Sequence, residues 1–193
     1  KICGLRRPED IAAVNEARPD YCGFIVEYPK SRRSIDRATL RELVQGLREE
    51  IVPVGVFVNA PKELVAQLHG QESQEYIQEL KVLTEKTLIQ AFSIKSKEDV
   101  ERARESVADY ILLDQGSGGT GEVFDWSLVG EVGRPYFLAG GLDAENLREA
   151  IRLLHPWAVD LSSSLEIDGM KDAGRICQAV EIVRMEETKD VKR

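Results

Sequence analysis

The sequence has 193 residues, 42% of them hydrophobic, and a formal net charge of -8 from 26 lysines and arginines against 34 aspartates and glutamates. That length supports one well-buried core and is short for two, so a single domain over residues 1–193 is expected. The acidic balance excludes nucleic acid or an anionic membrane surface as the main partner, and an anionic ligand would need a local basic pocket.

In chain order, short apolar runs alternate with segments of helical period, the pattern of a parallel sheet built from βα units. Seven or eight such units can be counted. The strand candidates are KICG (1–4), YCGFIV (21–26), PVGVFV (53–58), AQLHG (66–70), TLIQAF (87–92), YILLD (110–114), PYFLAG (135–140) and AVDLSS (158–163). Most are continuously apolar, as strands covered on both faces should be. Between them, Leu40, Leu43, Val44 and Leu47, and again Leu147, Ala150, Ile151 and Leu154, recur at i, i+3, i+4 and i+7, giving each helix one apolar stripe. Ile176, Val180 and Val183 mark a last helix, after which EETKDVKR reads as a charged, fraying tail. Pro8 suits a first helical turn, Asp36 and Asp143 suit N-caps, and Ser96 to Asp99 has capping-box spacing.

One interval breaks the pattern. Only NAPKELV separates Val58 from Ala66, whereas a parallel crossover with its helix takes roughly a dozen residues. Either residues are missing there or the barrel is truncated; APKELV opens like a helix and stops abruptly before AQLHG, which favours the first.

No apolar run approaches the ~20 residues of a membrane helix, and the start, KICGLRRPED, lacks a signal-peptide core. A soluble, cytoplasmic protein, monomeric or homodimeric, is expected. Cys3, Cys22 and Cys177 lack CxxC spacing, and His69 and His155 lie far apart, so no disulfide framework, metal site or cofactor is expected. Gly116 to Gly121 fits G-x-G-x-x-G after a strand, but Glu-Val-Phe-Asp-Trp follows and no ribose-binding acid stands about twenty residues on, so dinucleotide binding is rejected.

In a (β/α)₈ barrel, function sits at the C-terminal ends of the strands. Those ends carry Cys3-Gly4, the Lys30-Ser31-Arg32-Arg33 loop, His69-Gly70, Asp114, Gly140-Gly141 and Ser162-Ser163-Ser164. The loops after strands seven and eight are the usual barrel phosphate site; Gly140, Gly141, Ser163 and Ser164 fit it, and Gly119 and Gly121 are candidate helpers.

The segments KICGLRRPED, GFIVEYPKSRRSI, VGVFVN, QLHG, LLDQGSGGTGEVFDW, LAGGLDAENLREAI and VDLSSSLEIDGMKD occur in this order. Together they resemble the phosphoribosylanthranilate isomerase family over nearly the whole chain. The departure is the stretch from Pro61 to Ala66, where the family has a fuller helix. The resemblance implies a small (β/α)₈ barrel and a cofactor-free Amadori rearrangement in tryptophan biosynthesis, with N-(5-phosphoribosyl)anthranilate as substrate. By motif position it implies Asp114 as the acid and Cys3 as the base. It assigns Arg33 to the anthranilate carboxylate, Asp160 to a substrate hydrogen bond and His69 to the pocket edge, leaving Arg32 as solvated surface.

Each role carries a requirement. An aspartate donates a proton near neutrality when burial or a neighbouring negative charge raises its pKa. A thiol acts as a base only as thiolate, so Cys3 should occupy an electropositive, partly accessible spot, with Arg33 a contributor to the field. Cys22 and Cys177 are read as structural, as is His155 at the opposite face. The competing readings are another phosphosugar isomerase of amino-acid biosynthesis, which would use an aspartate pair, and a barrel that binds a phosphorylated ligand without catalysis.

Overall fold

The computed structural model describes residues 1–58, 67–68, 72–84, 86–115 and 125–190. The chain order is β1 (Ile2–Cys3), α1 (Pro8–Ala17), β2 (Tyr21–Val26), β3 (Ser34–Ile35), α2 (Arg37–Gln45), β4 (Val52–Phe57), β5 (Gln67–Leu68), α3 (Gln74–Thr84), β6 (Ile89–Ser93), α4 (Lys97–Arg104), β7 (Tyr110–Asp114), β8 (Tyr136–Leu138), α5 (Leu147–Leu154), β9 (Ala158–Val159), β10 (Glu166–Ile167), β11 (Met170–Lys171) and α6 (Ala173–Asp190). Hydrogen-bonded neighbours run β1-β2-β4-β5-β6-β7-β8-β9, all parallel, with β3 an offshoot of β2. The ends of that path meet: Ile2 and Leu161 form a parallel bridge, with Leu161 N donating to Lys1 O at 3.1 Å and Cys3 N to Leu161 O at 2.9 Å. The expected eight-stranded (β/α)₈ barrel is present. β5 pairs with both β4 and β6, so the sheet keeps its full strand order around the short NAPKELV interval, and 59–66 lie outside the described residues.

Strand pleat divides the core in two, because successive side chains point to opposite faces. Ile2, Cys22, Phe24, Ile111, Leu113, Leu138 and Val159 face outward and pack with Ile11, Val14, Leu43, Leu80, Leu147 and Ile176 from the helices. The alternate set, Val54, Ile89, Ala91, Leu112, Phe137 and Ala139, fills the barrel interior together with Tyr21, Tyr110 and Ala158. The N-terminal end is plugged by aromatic rings: Trp157 stacks on Tyr110 at 4.6 Å between centroids and meets Phe137 edge-on at 5.3 Å.

Most of the expected helix signals operate. Pro8 opens α1, Asp36 Oδ1 accepts Thr39 N at 2.8 Å, and the Asp99 carboxylate accepts the amides of Lys95 and Ser96. Asp143 is displaced from its expected role: it accepts Glu145 N and Asn146 N, closing the turn before α5, and Asn146 occupies the N-cap. His155 ends α5 in the left-handed region at φ 45°, a structural position away from the strand C-termini, as expected. The expected fraying of EETKDVKR does not begin at Glu186. α6 continues to Asp190, and buried Glu186 accepts Arg152 Nε at 2.6 Å and Nη2 at 3.0 Å, tying α6 to α5.

Phe137 is 1% exposed at the centre of the interior layer. Phe137→Ala should cost about 3–5 kcal/mol of stability, measured as a lowered urea midpoint at unchanged slope, because the closed ring cannot collapse onto the void.

Candidate functional site

The inward parity of the interior layer carries Cys3, Asp114 and Asp160 to the C-terminal mouth. On β1, Cys3 lies beside Gly23 of β2, and a Cβ on Gly23 would stand 2.7 Å from Cys3 Sγ, so the glycine leaves room for the thiol. Asp114 ends β7 two residues after interior Leu112. Asp160 follows β9 two residues after Ala158, its amide still in the ladder through Leu138 O at 2.8 Å.

Cys3 is 8% exposed, less accessible than the sequence reading required. Burial pushes its thiol above the ordinary value; Lys1 and Lys171 pull it down and Asp160 pushes it up. The cations acting on the sulfur are therefore Lys1 and Lys171, and the expected contribution from Arg33 is replaced by theirs. Lys1 Nζ donates to Asp160 Oδ2 at 2.6 Å, with the lysine side chain fully enclosed. Burial works against its ammonium, but Asp160 and Cys3 outweigh it and hold the lysine pKa above its usual value. Asp160 Oδ1 is buried without a hydrogen-bond partner among the described residues.

Asp114 is half-buried, and its Oδ1 accepts Gln115 N at 2.8 Å. Gly140, at φ +85°, packs directly behind it: a Cβ there would lie 2.8 Å from Asp114 Oδ1 and 2.7 Å from Gln115 N. A side chain at 140 would push the carboxylate out of place. Gly141 is also left-handed, at φ +65°, and its carbonyl accepts Asn146 Nδ2 at 2.8 Å.

Ser163–Leu165 forms a 3-10 turn opening off the eighth barrel strand, and Ser164 Oγ is buried without a partner among the described residues. Beyond it the β10–β11 hairpin carries a charge cluster that the sequence reading did not identify. Glu166 Oε1 accepts Arg33 Nε at 2.5 Å and Lys171 Nζ at 3.0 Å, while Oε2 accepts Arg33 Nη2 at 3.0 Å and Arg32 Nη2 at 2.7 Å. Arg32 is exposed as expected, yet it belongs to this cluster. Arg33 folds over Gly4, where a Cβ would stand 2.5 Å from Arg33 Cδ. Three cations around one carboxylate leave the rim locally positive on a chain of net charge -8. Period-2 spacing of Lys1 from Cys3 and the single acid of SSSLE were the available signals for Lys1 and Glu166.

His69, Gly119 and Gly121 lie outside the described residues, as does the whole G-x-G-x-x-G segment at 116–121. Cys22 faces outward and fully buried, its thiol pushed by burial to about 12, and Cys177 lies on α6; neither joins the site. Among the described residues, no group of three or more His, Cys, Asp or Glu side chains is placed to hold a metal ion, and no helix is long and apolar enough to cross a membrane.

Burial resists ionisation of Glu166, but Arg33 and Lys171 prevail and hold its carboxyl at about 2. A carboxyl depressed on folding adds stability above its unfolded value, near 4.5, that is lost as pH falls towards 2. The stability advantage of wild type over Glu166→Gln should accordingly shrink from pH 5 to about pH 2, measured by urea unfolding across that range.

Residues 1–182 match the family described as N-(5'phosphoribosyl)anthranilate (PRA) isomerase. The N-(5'-phosphoribosyl)anthranilate isomerase of Caldanaerobacter subterraneus subsp. tengcongensis is 42% identical over 201 residues, covering 95% of this chain and 97% of its own. The crystal structure of phosphoribosyl anthranilate isomerase from Thermotoga maritima superposes with a TM-score of 0.84 at 36% identity, covering 95% and 97% of the two chains. A phosphoribosyl anthranilate isomerase in complex with reduced 1-(o-carboxyphenylamino)-1-deoxyribulose 5-phosphate gives 0.81 at 35% identity, with the same coverage. With a parallel barrel, a cysteine and an aspartate facing its mouth, and these matches over nearly its full length, the chain belongs to the N-(5'-phosphoribosyl)anthranilate isomerase family.

Proposed function

We propose that the protein converts N-(5'-phosphoribosyl)anthranilate into 1-(2-carboxyphenylamino)-1-deoxyribulose 5-phosphate, with Asp114 as acid and Cys3 as base. The observation that carries this reading is that both side chains share the inward parity of one barrel and end at one rim, on strands β7 and β1. Family membership favours it over a barrel that only binds ligand, and the cysteine ending β1 favours it over an isomerase built on an aspartate pair.

Asp114 gives its proton to the ribose ring oxygen, the bond from that oxygen to C1 breaks, and the anthranilate nitrogen lone pair forms the C1=N bond. The Cys3 thiolate then takes the proton from C2. The released pair becomes C1=C2 and the C1=N pair returns to nitrogen, leaving an enolamine. Loss of the enol proton and protonation at C1 give the ketone.

Holding the substrate falls to the remaining residues. Gly140, Gly141, Ser163 and Ser164 bind the phosphate, and the unpartnered Ser164 Oγ is a ready donor there. Gly119 and Gly121, and His69 at the pocket edge, complete the proposed set. Arg33 takes the anthranilate carboxylate through the guanidinium edge that Glu166 leaves uncovered. Asp160 Oδ1, buried and unpartnered, accepts from the substrate's amino group or a ribose hydroxyl. The protein acts in the cytoplasm as a monomer or homodimer.

Freshly generated phosphoribosylanthranilate loses its fluorescence on conversion, which gives the assay. Cys3→Ala and Asp114→Asn should each lower kcat by about 10²–10⁴-fold with the circular-dichroism spectrum unchanged. Undiminished turnover in either variant would remove that residue from its role. A phosphate soaked into crystals should settle at Gly141 and Ser164; occupancy around residues 116–121 instead would contradict the phosphate assignment.

A further inference from the structure

The proposed chemistry leaves one buried charge at the mouth unexplained, the ammonium of Lys1. Taking an ammonium out of water carries a desolvation penalty that pairing only offsets, and an apolar pair of similar volume would serve the fold as well. Lys1 is nonetheless fully enclosed, two residues before Cys3 on the same face of β1, so its side chain lies along the wall that holds the thiol. Asp160 Oδ2 fixes Nζ at 2.6 Å, which holds the ammonium on the interior face that Cys3 shares. The other cations near the mouth are committed elsewhere. Arg33 is clamped by both oxygens of Glu166, and Lys171 Nζ is divided between Glu166 Oε1 at 3.0 Å and Ser162 O at 2.8 Å.

We propose that Lys1 is a positioning residue for the isomerisation: held by Asp160, its ammonium is the counter-charge that stabilises the Cys3 thiolate. This rests on the reading of Cys3 as the base. Among the described residues, the charged groups acting on the sulfur are Lys1 just before β1, Asp160 following β9 and Lys171 from β11; Glu166 and Arg33 stand behind Lys171, and adjacent β2 presents Gly23. Among them Lys1 is the strongest influence favouring thiolate, ahead of the opposing Asp160. The same pairing turns Asp160 so that Oδ1 stays uncommitted.

The test compares wild type with Lys1→Met, Lys1→Arg and Lys1→Met/Asp160→Asn in the full chain. It follows alkylation of Cys3 by iodoacetamide against pH, resolved by peptide mass spectrometry from Cys22 and Cys177, alongside kcat and KM. Lys1→Met should move the Cys3 alkylation midpoint up by about one unit or more and slow alkylation at pH 7.5 roughly tenfold. Its kcat should fall in parallel, with KM changed less than about threefold. Lys1→Arg should bring the midpoint back towards wild type. If Lys1→Met does not fold, the double variant decides, because loss of both charges should still raise the midpoint by a smaller step. A Cys3 midpoint that stays at the wild-type pH in whichever of these variants folds would overturn the role. Failure of the underlying reading is seen separately: Cys3→Ala that still turns over removes the base while leaving the alkylation shift intact.

Discussion

Two backbone hydrogen bonds join the beginning of the chain to a residue near position 160, and the site depends on them. Leu161 N donates to Lys1 O and Cys3 N donates to Leu161 O, closing the ring of strands. That register sets Asp160 beside Lys1 and keeps Lys1 and Cys3 on the interior face. A slip of one residue would turn every one of these side chains out towards the helices. The bridge also spans nearly the whole chain, so its closure entropy is recovered only when the sheet between is complete. The mouth is a consequence of the closed barrel rather than a local motif.

The rim resolves an apparent conflict between a net charge of -8 and a substrate that carries both a phosphate and a carboxylate. Arg32, Arg33 and Lys171 converge on Glu166, which fixes their geometry while leaving an excess of positive charge. The Lys1–Asp160 pair, by contrast, is internally balanced and acts over short range on the adjacent sulfur. Two glycines complete the arrangement by absence of side chain: Gly23 makes space for the thiol and Gly140 for the carboxylate of Asp114. The proposed base and acid are thus seated against backbone, which moves less than side chains do.

Much of this was legible in the residues. Strands such as YCGFIV and YILLD coincide with β2 and β7 because continuous apolar runs are what a sheet buried on both faces demands. PYFLAG and AVDLSS were read too long, since the ladder narrows at the rim where the chain turns into glycine and serine loops. Cys3 and Asp114 could be placed at strand ends by position alone. Lys1 and Glu166 could not, because a lysine or glutamate in isolation reads as surface, and only the closing register shows that one is sealed inside and the other is shared by three cations. The tail was misjudged for the same reason: Glu186 looks solvated until α5 supplies Arg148 and Arg152.

The proposed roles require Cys3 and Asp114 to reach a single sugar from opposite sides. The most direct measurement of that claim is a crystal structure of the wild-type protein with the reduced product analogue that a relative of this family binds. Cys3 Sγ should lie about 3.5 Å from C2 of the sugar chain, with the Asp114 carboxylate within hydrogen-bond reach of the former ring oxygen. An analogue seated with C2 turned away from the sulfur, or held at a site that one of the two residues does not touch, would contradict the assignment.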